Sequence, residues 1–521
     1  REALAELNPD NMLVQVVSPK ETSSTTTTWY KAPYSIQSVD ASVVTRWKQA
    51  GLNDRIVMPK KNKYLVEDFT LQNTKGAKKT QPYALLKTDN VELWKMAGNE
   101  FNKPKANIFV RFYAQQASKD AQHAVLNALY PLLLNDALNE EFYDAHLTGL
   151  QVYFENHQRG LSLNLSGFSD KQSDLMAEVL KQIKLTDIDA ARFTSLKNEY
   201  RLALKNGKIV KPFMRAFTLF QSMIQTPFYS DDQKLAALES VTRDDLIAYI
   251  ASFWQQTYAK ALINGNVSEQ QAHIMGASIQ AVLPKQSKPA RRVGVMQVPV
   301  TENGQTPAPI WSIGTSHSDT AYLRYIQADS ESVKDHALFQ IAGQLLDPLF
   351  YNQMRTEQQL GYLVRASYFA NLNVPGLSFL VQSNRASAEQ LDAAVSLFLT
   401  NAQAHIDSSM KQPEFEKIKN AVMTKLLLPS TSLNEQTIKL WSSIALGQPF
   451  DYNQTLAREV HSVSLADWKA FFKKVVANPN ASRTLKFTAQ PQPNKVTSER
   501  ATQQAWKKQQ AIYWLTPTKM D

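Results

Sequence analysis

The densest run of side chains able to do chemistry is Phe350-Tyr351-Asn352-Gln353-Met354-Arg355-Thr356-Glu357-Gln358-Gln359-Leu360-Gly361-Tyr362-Leu363-Val364. An arginine at a helix end and a tyrosine just past a glycine turn can aim two strong donors at one oxygen, which is what an oxyanion or a peptide carbonyl requires. The ordinary alternative is an Arg–Glu surface pair beside a half-buried tyrosine. Metal chemistry has no comparable run. The eight histidines are His123, His146, His157, His273, His317, His336, His405 and His461, and no two lie three or four positions apart. Neither His-Glu-x-x-His nor His-x-x-Glu-His therefore occurs, the spacings that set two imidazoles and a carboxylate on one helical face. Gly-x-Ser-x-Gly, a P-loop and Gly-x-Gly-x-x-Gly are absent as well, so nucleophile-elbow hydrolysis, Walker-type nucleotide use and Rossmann dinucleotide binding lose their signatures. There is no cysteine, which excludes disulfides, iron–sulfur clusters, thiolate zinc sites and Cys nucleophiles together.

The elements that must position Arg355 and Tyr362 come in two copies. Phe193-x-x-Leu196-Lys197-Asn198 recurs as Phe415-x-x-Ile418-Lys419-Asn420, and Pro227-Phe228 recurs as Pro449-Phe450, both 222 positions on. In the same register Val241-Thr242-Arg243-Asp244-Asp245-Leu246 meets Val463-Ser464-Leu465-Ala466-Asp467-Trp468, each a Ser/Thr cap leading into an apolar-periodic helix. Upstream, Gly160-Leu161-Ser162-Leu163 matches Gly376-Leu377-Ser378-Phe379, and His123-Ala124 matches His336-Ala337, with small loop insertions explaining the drift. The two histidines open equivalent helices, where capping or packing is the expected role.

Each copy reads as a strand, a helix (Asp120 to Leu138; Lys334 to Arg355), a glycine turn into alternating strands, then further helices and a last strand. The strands are Val110 to Tyr113 and Leu161 to Leu165 in the first copy, Tyr322 to Gln327 and Leu377 to Gln382 in the second. The fold class expected is α+β: two homologous domains of helices packed on mixed, mainly antiparallel sheets. Copy one should span 81–290 and copy two 291–490, with Pro284 to Arg292 as the linker between them. Residues 1–80 fit neither copy. There Asn11 to Pro19 resembles the last strand of a copy, as Lys260 to Asn266 does, followed by a Thr-rich connector at 23–28. Residues 491–521, polar and basic with Trp506, Tyr513 and Trp514, read as a docking tail.

At 521 residues there is ample material for real cores, and 43% hydrophobic with 20% charged residues is ordinary globular usage. The net charge of +10 is not gathered: Lys60-Lys61-Asn62-Lys63 and Lys75 to Lys79 are short runs, and the aromatic residues are not interleaved with a basic stripe. No nucleic-acid partner is expected. No stretch of about 18 uninterrupted apolar residues predicts a membrane span. The opening residues Arg1 to Pro9 show neither an initiator Met nor signal-peptide order, so the chain reads as a fragment.

The run Arg355-Thr356-Glu357-Gln358-Gln359-Leu360-Gly361-Tyr362 resembles the Arg-Thr-x-Glu-Gln-Leu-Gly-Tyr signature of the pitrilysin and insulin-degrading-enzyme family of zinc metallopeptidases, the inverzincins, with Gln358 where many members carry an acid. Leu380-Val381-Gln382-Ser383-Asn384 resembles the strand that follows it, and Trp29-Tyr30 with Tyr34 the segment closing the family's second domain. The resemblance covers essentially the whole chain, as the carboxyl-terminal half of a four-domain clamshell. It implies that the two copies are family domains three and four, and that an inter-half linker lies at about Lys60 to Lys79. It implies further that zinc and its His-x-x-Glu-His ligands belong to an amino-terminal half, so this chain carries no metal ligand and is not expected to catalyse alone. Arg355 and Tyr362 match the family residues that reach across to the zinc site, hold the substrate backbone and stabilise the tetrahedral intermediate. The partners implied are that amino-terminal half and short peptides, in a periplasmic or secreted location. A non-catalytic peptide-binding or chaperone-like subunit is the alternative.

Overall fold

The structure is a computed structural model that describes residues 2–20, 23–51, 53–55, 57–58, 60–72, 81–96, 100–287, 293–300, 310–478, 482–491 and 505–514. Much of the proposed linker at 284–292 and of the one at 60–79 lies outside the described residues. The chain forms two units, Arg1–Asn62 and Lys63–Asp521.

In the first unit Asp40 accepts the Ser42 amide at 2.8 Å and starts the helix Ala41–Lys48, Lys48 pairs with Asp10 at 2.5 Å, and one bridge joins Thr26 to Pro33. The segment from Asn11 to Pro19, read as a strand, pairs with no strand among the described residues, and its Leu13, Val16 and Val17 are exposed. An extended segment becomes a strand only where a neighbour supplies the ladder.

In the second unit the strands are β1 (Tyr83–Lys87), β2 (Val91–Lys95), β3 (Lys105–Tyr113), β4 (Gln151–His157), β5 (Gly160–Phe168), β6 (Gln225–Thr226), β7 (Tyr258–Gly265), β8 (Gly294–Met296), β9 (Ile310–Thr315), β10 (Thr320–Gln327), β11 (Leu363–Tyr368), β12 (Gly376–Ser383), β13 (Arg483–Pro491) and β14 (Ile512–Trp514). They form three sheets: β1-β2-β7-β3-β5-β4, β11-β12-β10-β13-β9 and the small β14-β8-β6. With β1 set aside, the two large sheets share one order, β2-β7-β3-β5-β4 against β9-β13-β10-β12-β11. Each has its parallel pair at the same place, β2 with β7 and β9 with β13, and is antiparallel elsewhere. The α+β class with mixed, mainly antiparallel sheets is therefore what the chain adopts.

The sequence repeat has matching physics. Lys197 Nζ donates to the carbonyls of Glu239 and Val241 at 3.1 and 2.7 Å, and Lys419 Nζ, 222 positions on, donates to those of His461 and Val463 at 2.8 and 3.1 Å. Each lysine ties one helix to the loop that ends another. The first long helix, Ala121–Glu141, is started by Asp120 and buries Val125, Leu129 and Leu133 against the first sheet's core. Its counterpart, Val333–Tyr351, is started by Ser332 and buries Phe339, Ala342, Leu346 and Phe350. The four-residue spacing puts each set on one helical face.

The other face of each sheet is covered by the opposite copy. The helix Pro212–Ile224, from the first copy, buries Ala216, Leu219, Phe220 and Met223 against Leu323, Tyr325, Leu485 and Phe487 of the second sheet. The Phe220 ring stands 4.8 Å from Tyr325 and 5.7 Å from Phe487. The helix Leu433–Leu446, from the second copy, sets Trp441 and Ile444 on Leu262 of the first sheet, while Asn107 and Asn264 donate to Thr437 Oγ1 at 3.2 and 3.0 Å. Strands β7 and β10, central in their sheets, are accordingly buried at every residue. That is why their sequences lack the polar alternation of a half-exposed strand.

Two predictions follow from this packing. Phe220→Ala should lower stability to urea by about 3–5 kcal/mol, the usual cost of emptying a large aromatic from a core. His336 lies buried at the start of its helix, its Nε2 3.1 Å from the Asn373 carbonyl and its Nδ1 2.6 Å from the Tyr368 hydroxyl, so Nε2 donates and Nδ1 accepts in the neutral ring. Burial lowers its pKa from the ordinary 6.5. The unfolded chain then binds more protons below that value, so the stability this ring contributes is fully present above about pH 6.5 and falls as pH drops through the folded value. Unfolding midpoints from pH 8 to pH 5 should show that slope, and His336→Asn should flatten it.

Candidate functional site

The helix Val333–Tyr351 does not continue to Arg355 as an α-helix, as the periodicity suggests. Residues Asn352–Glu357 form a π-turn, closed by the Gln358 amide donating to the Gln353 carbonyl at 3.0 Å. Adding one residue per turn rotates everything beyond it, and single π-turns of this kind recur at functional sites. Here the turn leaves Met354 fully buried against the core while its neighbour Arg355 emerges.

The chain then reverses. Gln359 takes a φ of +50°, the Leu360 amide returns to the Met354 carbonyl at 2.8 Å, and Gly361 passes so close to β12 that a Cβ there would stand 1.9 Å from the Gln382 carbonyl oxygen. Only glycine fits that approach. Tyr362 follows, its side chain 85% exposed, and β11 starts at Leu363, paired with Gln382.

This geometry brings the two predicted residues together. Arg355 Nη1 donates to the carbonyls of Gly361 and Tyr362 at 3.3 and 2.8 Å, and its guanidinium lies 4.5 Å from the centre of the Tyr362 ring. Among the described residues its other nitrogens make no hydrogen bond. The Arg–Glu surface pair does not form: Glu357 accepts instead from Asn352 Nδ2 at 2.7 Å. Two strong donors, a guanidinium and a phenol, thus sit stacked and turned to solvent. A cation held on an aromatic face in this way keeps its charge and N–H groups available at its edge.

Two further groups shape the site and were missed by sequence reasoning. Tyr351 places a second ring 5.8 Å from the Arg355 guanidinium; its i−4 spacing from Arg355 was a usable signal. Gln382 binds the Phe213 amide through Oε1 at 3.3 Å and Asp319 through Nε2 at 2.9 Å, which ties the first copy's exchanged helix to the strand beside the turn. No local pattern marks that role, because both partners are distant in sequence.

Among the described residues no group of three or more His, Asp or Glu side chains could hold a metal ion. His123 bonds Asp120 at its helix start at 2.8 Å. His157 accepts the Arg159 amide at 3.2 Å and is held neutral, well below its usual range, by burial and by Arg111 and Arg159.

Because a Cβ at Gly361 collides with backbone, Gly361→Ala should displace the turn while sparing the core. Hydrogen exchange at the Tyr362 and Leu363 amides should rise in the variant with the far-UV circular dichroism unchanged.

Comparison with known proteins agrees with this architecture. Residues 1–237 match the profile described as the middle or third domain of peptidase M16, and residues 341–441 match one described as the PQQ synthase PqqF-like C-terminal lobe domain 4. Human insulin-degrading enzyme is 26% identical over 488 residues, covering 91% of this chain and 47% of that protein. Protease 3 of Escherichia coli O157:H7 is 26% identical over 490 residues, 93% of this chain and 50% of that protein. The chain thus spans about half the length of the relatives it matches. The crystal structure of pitrilysin superposes with a TM-score of 0.82 at 23% identity, over 99% of this chain and 55% of that one. A peptidase M16 inactive domain from Pseudomonas fluorescens superposes at 0.60 with 15% identity, over 80% of this chain and 98% of that one. On the match of its first 237 residues to the M16 middle domain, and of nearly its whole length to the carboxyl-terminal half of insulin-degrading enzyme and protease 3, the chain belongs to the peptidase M16 family.

Proposed function

We propose that this chain is the carboxyl-terminal half of a zinc-dependent endopeptidase of small peptides, and that Arg355 and Tyr362 are its catalytic donors. The observation that carries the reading is their stacked, outward-facing pair, with Arg355 Nη1 spent on the turn and the remaining N–H groups and the phenol left for a ligand. In this reading both residues donate to the scissile carbonyl oxygen and the adjoining substrate backbone, and their bonds strengthen as negative charge builds on that oxygen.

The described residues do not fit a zinc site. Metal ligands and general base are therefore assigned to an amino-terminal half, where zinc, when bound, supplies Lewis-acid polarisation and an activated water. Residues 1–80 then close a preceding domain and carry the inter-half linker, 81–290 and 291–490 are family domains three and four, and 491–521 is a docking tail. The exposed Leu13, Val16, Val17, Trp29 and Tyr30 support the first assignment, since a preceding domain would cover them. The antiparallel pairing of β14 with β8 and the 6.3 Å approach of Trp506 to Trp311 support the last. Short peptides are the substrate class because two closing halves admit only what fits between them, and the net charge of +10 favours acidic ones. A periplasmic or secreted location goes with the likeness to pitrilysin; among the described residues no helix is long and apolar enough to cross a membrane.

The test uses the enzyme assembled with its amino-terminal half. Arg355→Ala and Tyr362→Phe should each lower kcat/KM by about 10²-fold or more, the typical loss for one preorganised donor, with metal content unchanged. Near wild-type turnover in either variant would remove that residue from catalysis. Peptide binding without hydrolysis in any assembly would favour a non-catalytic peptide-binding or chaperone-like subunit.

A further inference from the structure

Nothing packs around the Tyr362 side chain to locate it. It is 85% exposed, and among the described residues its ring meets one cation, Arg355, makes no second ring contact, and its hydroxyl makes no hydrogen bond. Its position is therefore set by the backbone from Gln358 to Tyr362. That backbone is itself unusual. Gln359 occupies the left-handed region at φ +50°, a conformation that residues other than glycine keep only where their surroundings hold them.

Three contacts do the holding. The Leu360 amide bonds the Met354 carbonyl at 2.8 Å, and Gly361 lies against the Gln382 carbonyl. The third is a side chain: Arg385 donates through Nη2 to the carbonyl of Gln358, the residue just before the left-handed one. Arg385 stands on a firm base. Ser383 Oγ accepts the amides of Arg385 and Ala386 at 3.2 and 3.0 Å, and the capping box of Ser387 and Gln390 starts the helix Ala388–Ser408 directly beyond.

We infer that Arg385 is a positioning residue for catalysis: by gripping the Gln358 carbonyl from the end of β12 it holds the strained turn that presents Tyr362 and the Arg355 guanidinium. The inference rests on the reading of Arg355 and Tyr362 as the donors. It gives the arginine no contact with substrate. Its effect passes through the turn, and a charge-assisted bond at an exposed position sets the scale of that effect at about five- to tenfold. Because Arg385 is exposed, its removal leaves the core intact.

The experiment is a double-mutant cycle on the assembled enzyme with a quenched-fluorescent peptide. Arg385→Ala should lower kcat about five- to tenfold with KM little changed, and Arg385→Lys should recover part of the loss. In an Arg355→Ala background Arg385→Ala should cost at most a small further factor, because the donor it positions is already gone. In the isolated chain, hydrogen exchange at the amides of Gln359 to Tyr362 should quicken in Arg385→Ala while the thermal midpoint stays in place. Wild-type kcat in Arg385→Ala beside a crippled Arg355→Ala would overturn this inference alone. The same fold-loss in both backgrounds would also overturn it, since it would show independent action. An Arg355→Ala enzyme with full activity would instead remove the reading of the site, and this inference with it.

Discussion

Everything in the second unit depends on an exchange of helices. Each large sheet has its own copy's helices on one face and needs a second cover for the other, since β7 and β10 are apolar on both faces. Each copy supplies that cover to its neighbour: Pro212–Ile224 seals the second sheet and Leu433–Leu446 the first. The seals differ in chemistry. The former is aromatic and dry, with Phe220 among Tyr325, Phe369 and Phe487; the latter mixes Trp441 with amides that converge on Thr437. Separating the copies would bare both faces, which is why residues 63–521 form one compact unit.

The site inherits its rigidity from this arrangement. Gln382 receives the amide of Phe213 at the start of the exchanged helix, pairs with Leu363 in the strand register, and offers its carbonyl to Gly361. One residue thus links the first copy's helix to the turn that carries Tyr362. The π-turn adds the complementary device. Burying Met354 while releasing Arg355 requires a rotation that regular α-helix does not allow, and the extra residue per turn provides it. The result is two donors held by backbone geometry, with little side-chain packing around the phenol.

Much of this was legible in sequence, and the misses have physical causes. The duplication was visible because the residues doing structural work repeat: Lys197 and Lys419 tie the same carbonyls in each copy, and Thr242 and Ser464 start equivalent helices. The pairing of Arg355 with Tyr362 could be anticipated from their spacing around a glycine turn. The π-turn could not, because apolar periodicity does not separate one inserted residue from a helix end. Helix exchange was equally hidden, since an apolar helical face does not say which sheet it covers. The segment from Asn11 to Pro19 has strand composition but no ladder among the described residues, and composition alone cannot supply a partner.

The central claim is that this chain contributes donors to a hydrolysis whose metal lies elsewhere. The most direct measurement is cleavage of a quenched-fluorescent peptide by the purified chain, with zinc and with a chelator, before and after addition of a separately made amino-terminal half. The account predicts no cleavage by the chain alone, activity on mixing, and loss of that activity with the chelator. Zinc-dependent cleavage by the chain alone would contradict it, because the metal would then have to be held by this chain's own residues.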